Sequence, residues 1–248
     1  MLEAVVLDFG HTIVDFALSG RALLATYEEV QGLLVQHVAG KLPTADELVN
    51  SVSLRLSSRI NDSYLSQELE ELDVLAEFTA LFADLDLRLP PELIRRIAQL
   101  EHQALTAELY VSPANLAALR TLKEEGFLLG MASNITFHGD FVRGDLDRLG
   151  LLDLFDAVVL SSEVGVRKPH PRMYETALDC LRVPARSALF VGDRLREDVG
   201  GPQSVGMRSV LTREFRAEES LPGSPVPDAV IDHLSELPAV ARQLRGLV

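Results

Sequence analysis

The feature that most constrains this chain is a series of short apolar runs. Each stops at a polar residue, and helical patterns separate most of them. Leu2 to Leu7 is apolar apart from Glu3 and stops at Asp8. Further on, FLLGMAS stops at Ser133, AVVLSS begins at Ala157, SALFVGD ends at Asp193, MRSVLT begins at Met207, and Ala229 to Ile231 reads as a short last run. Near-continuous apolar runs of this length suit strands buried on both faces, which belong to parallel sheets. Between them, Ser112-Pro113 starts a helix with Leu116, Leu119 and Leu122 on one face, and Gly126 ends it. Strands alternating with helices form βαβ units. The spacing therefore predicts an α/β fold, a Rossmann-like parallel sheet with helices on both faces. The stretch Glu218 to Asp228, with Pro222, Gly223, Pro225 and Pro227, is the clearest loop.

One long segment breaks the alternation. From Gly20 to about Ala107 the chain reads as helix after helix. Leu23, Tyr27, Val30, Leu34 and Val38 recur at three- and four-residue steps. Thr44 to Glu47 is a capping-box pattern followed by Leu48, Val52 and Leu56. Leu69, Leu72, Leu75 and Ala76 begin a third stripe, and Pro90-Pro91 opens a fourth through Leu93, Ile97, Leu100 and Ala104. The expected organisation is a core domain of residues 1–16 and 108–248, with an all-helical cap of residues 17–107 inserted after the first strand.

Composition narrows the function classes. A net charge of −14 disfavours sequence-independent nucleic-acid binding, which relies on Lys and Arg to displace counterions. There is no run of 18 apolar residues, so no membrane span is expected, and the N-terminal apolar run is too short for a signal-peptide core. The single cysteine, Cys180, excludes an intrachain disulfide and is expected as a small core residue of the helix around Tyr174 to Leu181. A chain without disulfides fits a reducing compartment, so a cytoplasmic location is expected.

In open parallel sheets, ligands bind beyond the carboxyl ends of the strands. Asp8, the Ser133-Asn134 pair and Asp193 stand directly after apolar runs, and Lys168 follows AVVLSS closely. Taken singly, these are turn formers, helix caps or a surface lysine. Together they bring two acids, a hydroxyl and a lysine to one edge. Dispersed charge on a phosphoryl group calls for positioning and charge neutralisation. A carboxylate nucleophile is repelled by that charge unless a cation held by hard oxygen ligands intervenes.

DFGHT (Asp8 to Thr12), Ser133-Asn134, Lys168-Pro169 and GDRLRED (Gly192 to Asp198), in this order, resemble the four motifs of the haloacid dehalogenase superfamily. The resemblance covers Met1 to Phe16 and Ser112 to Thr212, and the insertion is similar to the helical cap of the first subclass. It implies a Mg2+-dependent hydrolase acting on a small phosphorylated metabolite through an aspartyl-phosphate intermediate at Asp8. Asp8, Ser133 and Lys168 are then catalytic. Phe9, Gly10 and Asn134 help Ser133 and Lys168 bind phosphate. Asp8, the Gly10 carbonyl, Asp193 and Asp198 hold Mg2+, Asp198 directly or through water.

One position departs from the pattern. Where the family's phosphatases carry a second Asp as general acid and base, this chain has Gly10. Such a group contributes about 10²–10⁴ in rate. The substrate could instead bear a good leaving group, such as an acyl phosphate or sugar-1-phosphate. Other repairs are His11 as proton carrier, Asp15 five residues on, or a cap residue. Two further reactions of the superfamily dispense with that Asp. The metal-free 2-haloacid dehalogenases typically lack the acid arrangement of Asp193 and Asp198. A Schiff-base mechanism needs a cap lysine, and the sole one, Lys41, stands in a Gly-Lys-Leu-Pro turn. A non-catalytic binding protein on the same fold is the remaining alternative. Arg167, Arg194 and Arg196 are either surface charge or readers of a second anionic group. His37, His102 and His233 are expected at the surface or partly buried. His138 and His170 lie near site loops and carry no expected catalytic role.

Overall fold

The computed structural model describes residues 1–16, 20–38 and 40–246. Residues 17–19 and 39 of the expected cap, and 247–248 of the expected core, lie outside them. In chain order the elements begin with strands β1 (Ala4–Leu7) and β2 (Val14–Asp15). Helices α1 (Gly20–His37), α2 (Ala45–Leu48), α3 (Leu54–Leu65), α4 (Val74–Ala83) and α5 (Pro91–Thr106) follow. Then come β3 (Tyr110–Val111), α6 (Pro113–Glu124), β4 (Leu128–Ser133), α7 (Gly139–Arg148), β5 (Ala157–Leu160), α8 (Ser161–Val164) and α9 (Pro171–Leu181). The chain closes with β6 (Ala188–Gly192), α10 (Gly201–Ser204), β7 (Arg208–Thr212), β8 (Ala229–Ile231) and α11 (Leu237–Arg245).

The chain divides into two compact units. The first comprises Met1–Phe16, Leu109–Ile135 and Arg143–Val248; the second comprises Ala17–Glu108 and Thr136–Val142. Residues 136–142, which the sequence places with the sheet, thus group with the helical unit. Phe137 and Phe141 explain this, because both pack into that unit's apolar core.

The first unit is built on a six-stranded sheet of order β5-β4-β1-β6-β7-β8, every pairing parallel. This is the doubly wound order, in which the strand sequence reverses beside the first strand and opens a crevice at the carboxyl ends. β1 sits centrally, with Leu7 opposite both Met131 and Val191. All four of its residues are buried, as are all five of β6, which is why these runs read as unbroken apolar sequence. Met173, Tyr174, Ala177, Leu178 and Leu181 of α9 pack with Val6, Ala132, Val159 and Phe190 of the sheet. Cys180 points away from that stripe and is exposed, contrary to its expected place in the core. Ser112 caps α6 by accepting the Asn115 N–H at 3.0 Å, and Gly126 ends it in a left-handed conformation, φ 80°.

Among the described residues, the regular elements of the second unit are helices. Thr44 and Glu47 form the reciprocal capping box that starts α2. A π-helical turn, Val49–Ser53, joins α2 to α3. The third apolar stripe forms α4, which begins later than the stripe suggests. Leu69 and Leu72 precede it, and Asp73 caps α4 by accepting from the Leu75 and Ala76 N–H groups. Tyr27, Val30, Leu34, Leu48, Val52, Phe78 and Ile97 are among the buried core residues. Glu101 is buried in this unit, accepting hydrogen bonds from Tyr27 and, at 2.8 Å, from Ser53, and burial raises its pKa above the usual carboxylate range. His102 is also buried rather than at the surface, because its ring packs on Phe137 and Phe141 at 5.1 and 5.7 Å. Among the described residues, no helix is long and apolar enough to cross a membrane.

Candidate active site

Asp8 leaves the end of β1 with its N–H still donating to the Val191 carbonyl at 2.9 Å. The chain then turns tightly. The Phe9 carbonyl accepts from Ile13 and Val14, at 2.9 and 3.3 Å, and His11 takes a left-handed conformation, φ 55°. Val14 and Asp15 return as β2 to pair with Tyr110 and Val111. The turn leaves the Asp8 carboxyl at the crevice beside the central strand.

Three more strand ends supply its neighbours. Ser133 ends β4 and donates its hydroxyl to Asp8 Oδ1 at 2.9 Å. Lys168 Nζ donates to Asp8 Oδ1 and to Asp198 Oδ1, each at 2.7 Å. Burial alone would lower the lysine pKa, but the Asp198 and Asp8 carboxylates outweigh it and raise the value, so the ammonium stays charged. Asp193 follows β6, and the ligand atoms of Asp8, Asp193 and Asp198 lie within 4.8 Å of one another, all three residues buried. Burial, then mutual repulsion with the neighbouring carboxylates, pushes Asp193 up to about 7 against the pull of Arg216 and Arg194. Burial also pushes Asp198 up, to about 6, although Lys168 opposes this. Two buried carboxyls whose protons are hard to remove, Asp193 and Asp198, set beside Asp8 have the electrostatics of a cation site.

Asn134 plays a part that its sequence position does not reveal. Its side chain accepts from the Lys168 N–H at 2.7 Å and donates to the Lys168 carbonyl at 3.1 Å. It thereby ties the loop after β4 to the loop that carries the lysine. Asp198 is held as firmly, with Oδ2 accepting the Arg194 N–H at 3.0 Å. Gly192 makes room for it, since a Cβ there would lie 2.3 Å from the Asp198 carboxyl carbon.

Gly10 is a glycine for a similar reason. A Cβ there would sit 2.5 Å from the Phe16 ring, which occupies the direction a side chain would take. His11 stacks edge-on with the same ring at 5.3 Å. Its Nδ1 lies 3.3 Å from Asp15 Oδ1. Burial, then the positive charge of Arg216, holds the imidazole below its usual range, which weakens it as a proton donor at neutral pH.

Other expected residues fall elsewhere. Arg167 is buried, whereas Arg194 and Arg196 are exposed. His170 caps α9 by accepting from the Arg172 N–H at 3.2 Å. Lys41 is exposed in the helical unit, a poor setting for a desolvated amine. Sequence reasoning missed Arg216, whose Nη1 lies 2.7 Å from Asp193 Oδ2. It stands four residues past the end of β7, so looking farther beyond each strand end would have found it.

A carboxylate at the first strand end, paired with a buried lysine and beside two more acids, marks the crevice of this doubly wound α/β sheet as the candidate active site. Residues 5–212 match the haloacid dehalogenase-like hydrolase family. The chain belongs to that family. It is 32% identical to the glyceraldehyde 3-phosphate phosphatase of Pyrococcus abyssi over 85% of this chain and 81% of that one. The corresponding enzyme of Methanopyrus kandleri is 34% identical over 62% of this chain, a match spanning 66% of that relative's length. The solved structure of a 2-haloacid dehalogenase from Pseudomonas syringae pv. Tomato DC3000 shares the fold, with a TM-score of 0.69 at 22% identity, covering 98% of this chain and 99% of that one.

Proposed function

We propose that the chain is a Mg2+-dependent phosphatase acting on a small phosphorylated metabolite through a covalent intermediate at Asp8. The observation that carries this reading is the pairing of Asp8 with Lys168 inside a cluster of three buried carboxylates. The likeness to the glyceraldehyde 3-phosphate phosphatase of Pyrococcus abyssi supports it.

Both hydrogen bonds to the Asp8 carboxyl fall on Oδ1, so Oδ2 is the oxygen that attacks phosphorus. The phosphorus–oxygen bond to the leaving group breaks, and that group departs with the electron pair. Lys168 and the Ser133 hydroxyl, with the Phe9, Gly10 and Asn134 backbone, take the charge of the phosphoryl oxygens. In the second step a water oxygen attacks phosphorus, the bond to Asp8 breaks, and the carboxylate is restored with release of phosphate.

Three hard carboxylates converging within 4.8 Å fit a divalent cation such as Mg2+. Asp8, the Gly10 carbonyl and Asp193 would hold it. Asp198 already accepts at both oxygens, from Lys168 and from Arg194, which suits a ligand acting through water. When bound, the ion supplies positive charge that offsets the repulsion between Asp8 and the phosphoryl group.

The test is phosphate release from acyl phosphates, sugar-1-phosphates and ordinary monoesters, with and without Mg2+, in wild type and Asp8→Asn. Metal-dependent release that is lost in Asp8→Asn is expected. Release that survives this substitution would place the chemistry elsewhere, and halide release without metal would favour dehalogenation.

A further inference from the structure

Three carboxylates are met by two cations of very different character. Lys168 is sealed between Asp8 and Asp198, its side chain 3% exposed, whereas the Arg216 side chain on Asp193 is 34% exposed. The loop presenting Arg216 is pinned on both sides. Before it, the Glu214 carboxylate accepts from the Leu234 N–H at 2.7 Å; after it, Glu218 accepts from the Leu195 N–H at 2.6 Å, two residues past Asp193. The Arg213 N–H donates to the Ile231 carbonyl at 2.9 Å, which fixes the start of the loop against β8. Arg216 is thus delivered to the cluster by a secured segment.

We propose that Arg216 is a tethered counter-ion of the acid cluster, one that yields Asp193 when a divalent cation enters and so sets the affinity of the site for metal. This rests on the reading of the cluster as a metal site. An incoming cation draws on the charge of the same Asp193 carboxylate that Arg216 contacts, and two like charges compete there. Lys168 is the wrong group to yield, because its departure strands two buried carboxylates. Arg216 gives way at small cost, since its guanidinium is already at the solvent edge. A partly exposed ion pair is weak, so the competition is modest, about two- to fivefold in dissociation constant.

Calorimetric titration of Mg2+ into the metal-free full chain tests this, with Arg216→Gln, Arg216→Lys and Arg213→Gln beside wild type. Arg213 is exposed on the same loop and removes the same charge. The proposal expects Arg216→Gln to bind Mg2+ about two- to fivefold more tightly, with Arg216→Lys and Arg213→Gln close to wild type. Unchanged or weaker binding in Arg216→Gln, with wild type binding normally, overturns it and leaves the phosphatase reading intact. Equal tightening in Arg213→Gln also overturns it, since the effect would then be one of net charge. No Mg2+ binding by any of the four proteins removes the metal site and this inference together. A circular dichroism spectrum matching wild type qualifies each variant as folded.

Discussion

Replacing Lys168 by Met removes the ammonium while retaining a stem of similar length beside the Phe190 ring, 5.0 Å from the nitrogen. The lysine is 4% exposed and bridges two carboxylates at 2.7 Å each. Breaking a buried pair by removing one partner costs about 3–5 kcal/mol, because the remaining charge is left uncompensated. That is a large part of the 5–15 kcal/mol or so that holds a typical domain folded. With a urea slope near the upper end of about 1–3 kcal/mol per molar, as suits a chain of this size, the midpoint should fall by roughly 1–2 M. The lysine pKa is raised in the folded state, so its contribution is complete below the unfolded value and is still whole near neutrality. The penalty should shrink in acid, where protons can replace the missing cation on the carboxylates. Urea unfolding in chelator, followed by circular dichroism at about pH 8 and about pH 5, measures both effects. A loss below about 1 kcal/mol at the higher pH would mean that the pair behaves as a solvated one, and the reasoning would fail.

Gly192→Ala forces a methyl group into the space of the Asp198 carboxyl and should destabilise the protein by about 1–3 kcal/mol in the same urea assay; a neutral substitution would contradict the placement of Asp198. Gly10→Asp must displace the Phe16 ring, which is 39% exposed and able to swing outward. This variant should raise turnover of alkyl phosphates by up to about 10²-fold while changing that of acyl phosphates little, and equal effects on both would show that the missing acid is not limiting. Asp193 and Asp198 are pushed up to about 7 and about 6 without a cation, so their stabilising protonated forms are lost as pH rises through that window. The gain in melting temperature on adding Mg2+ should therefore grow between about pH 5 and about pH 8; a flat profile would detach the cation from these carboxylates.

What the sequence revealed follows from how parallel sheets are made. A strand buried on both faces must be apolar throughout, so the residue that ends the run stands out. Asp8, Ser133 and Asp193 were legible for that reason. Lys168 and Asp198 needed the motif spacing as well. The contacts that organise the site were not legible, since each joins distant segments through one side chain. Asn134 grips a backbone 34 residues away, and Arg216 crosses 23 residues to Asp193. Phe16 lies in sequence range of Gly10, yet only the path of the turn shows that its ring fills the glycine's side-chain direction. In the helical unit, the stripe through Leu69 and Leu72 ran on too early because Asp73 stops the helix from extending backwards. Cys180 was misplaced for a simpler reason. It lies one step off the Tyr174, Ala177, Leu178 and Leu181 face, and in a helix that phase decides exposure over small apolar character.

The central claim is that phosphorus becomes bonded to Asp8. The most direct measurement is rapid acid quenching of the enzyme during turnover of an acyl phosphate with Mg2+, followed by mass spectrometry of the peptide that carries Asp8. The account expects one added phosphoryl group on that peptide, sensitive to hydroxylamine and absent from Asp8→Asn. Turnover without that modification at any quench time, or a phosphoryl group found on another residue, would contradict it.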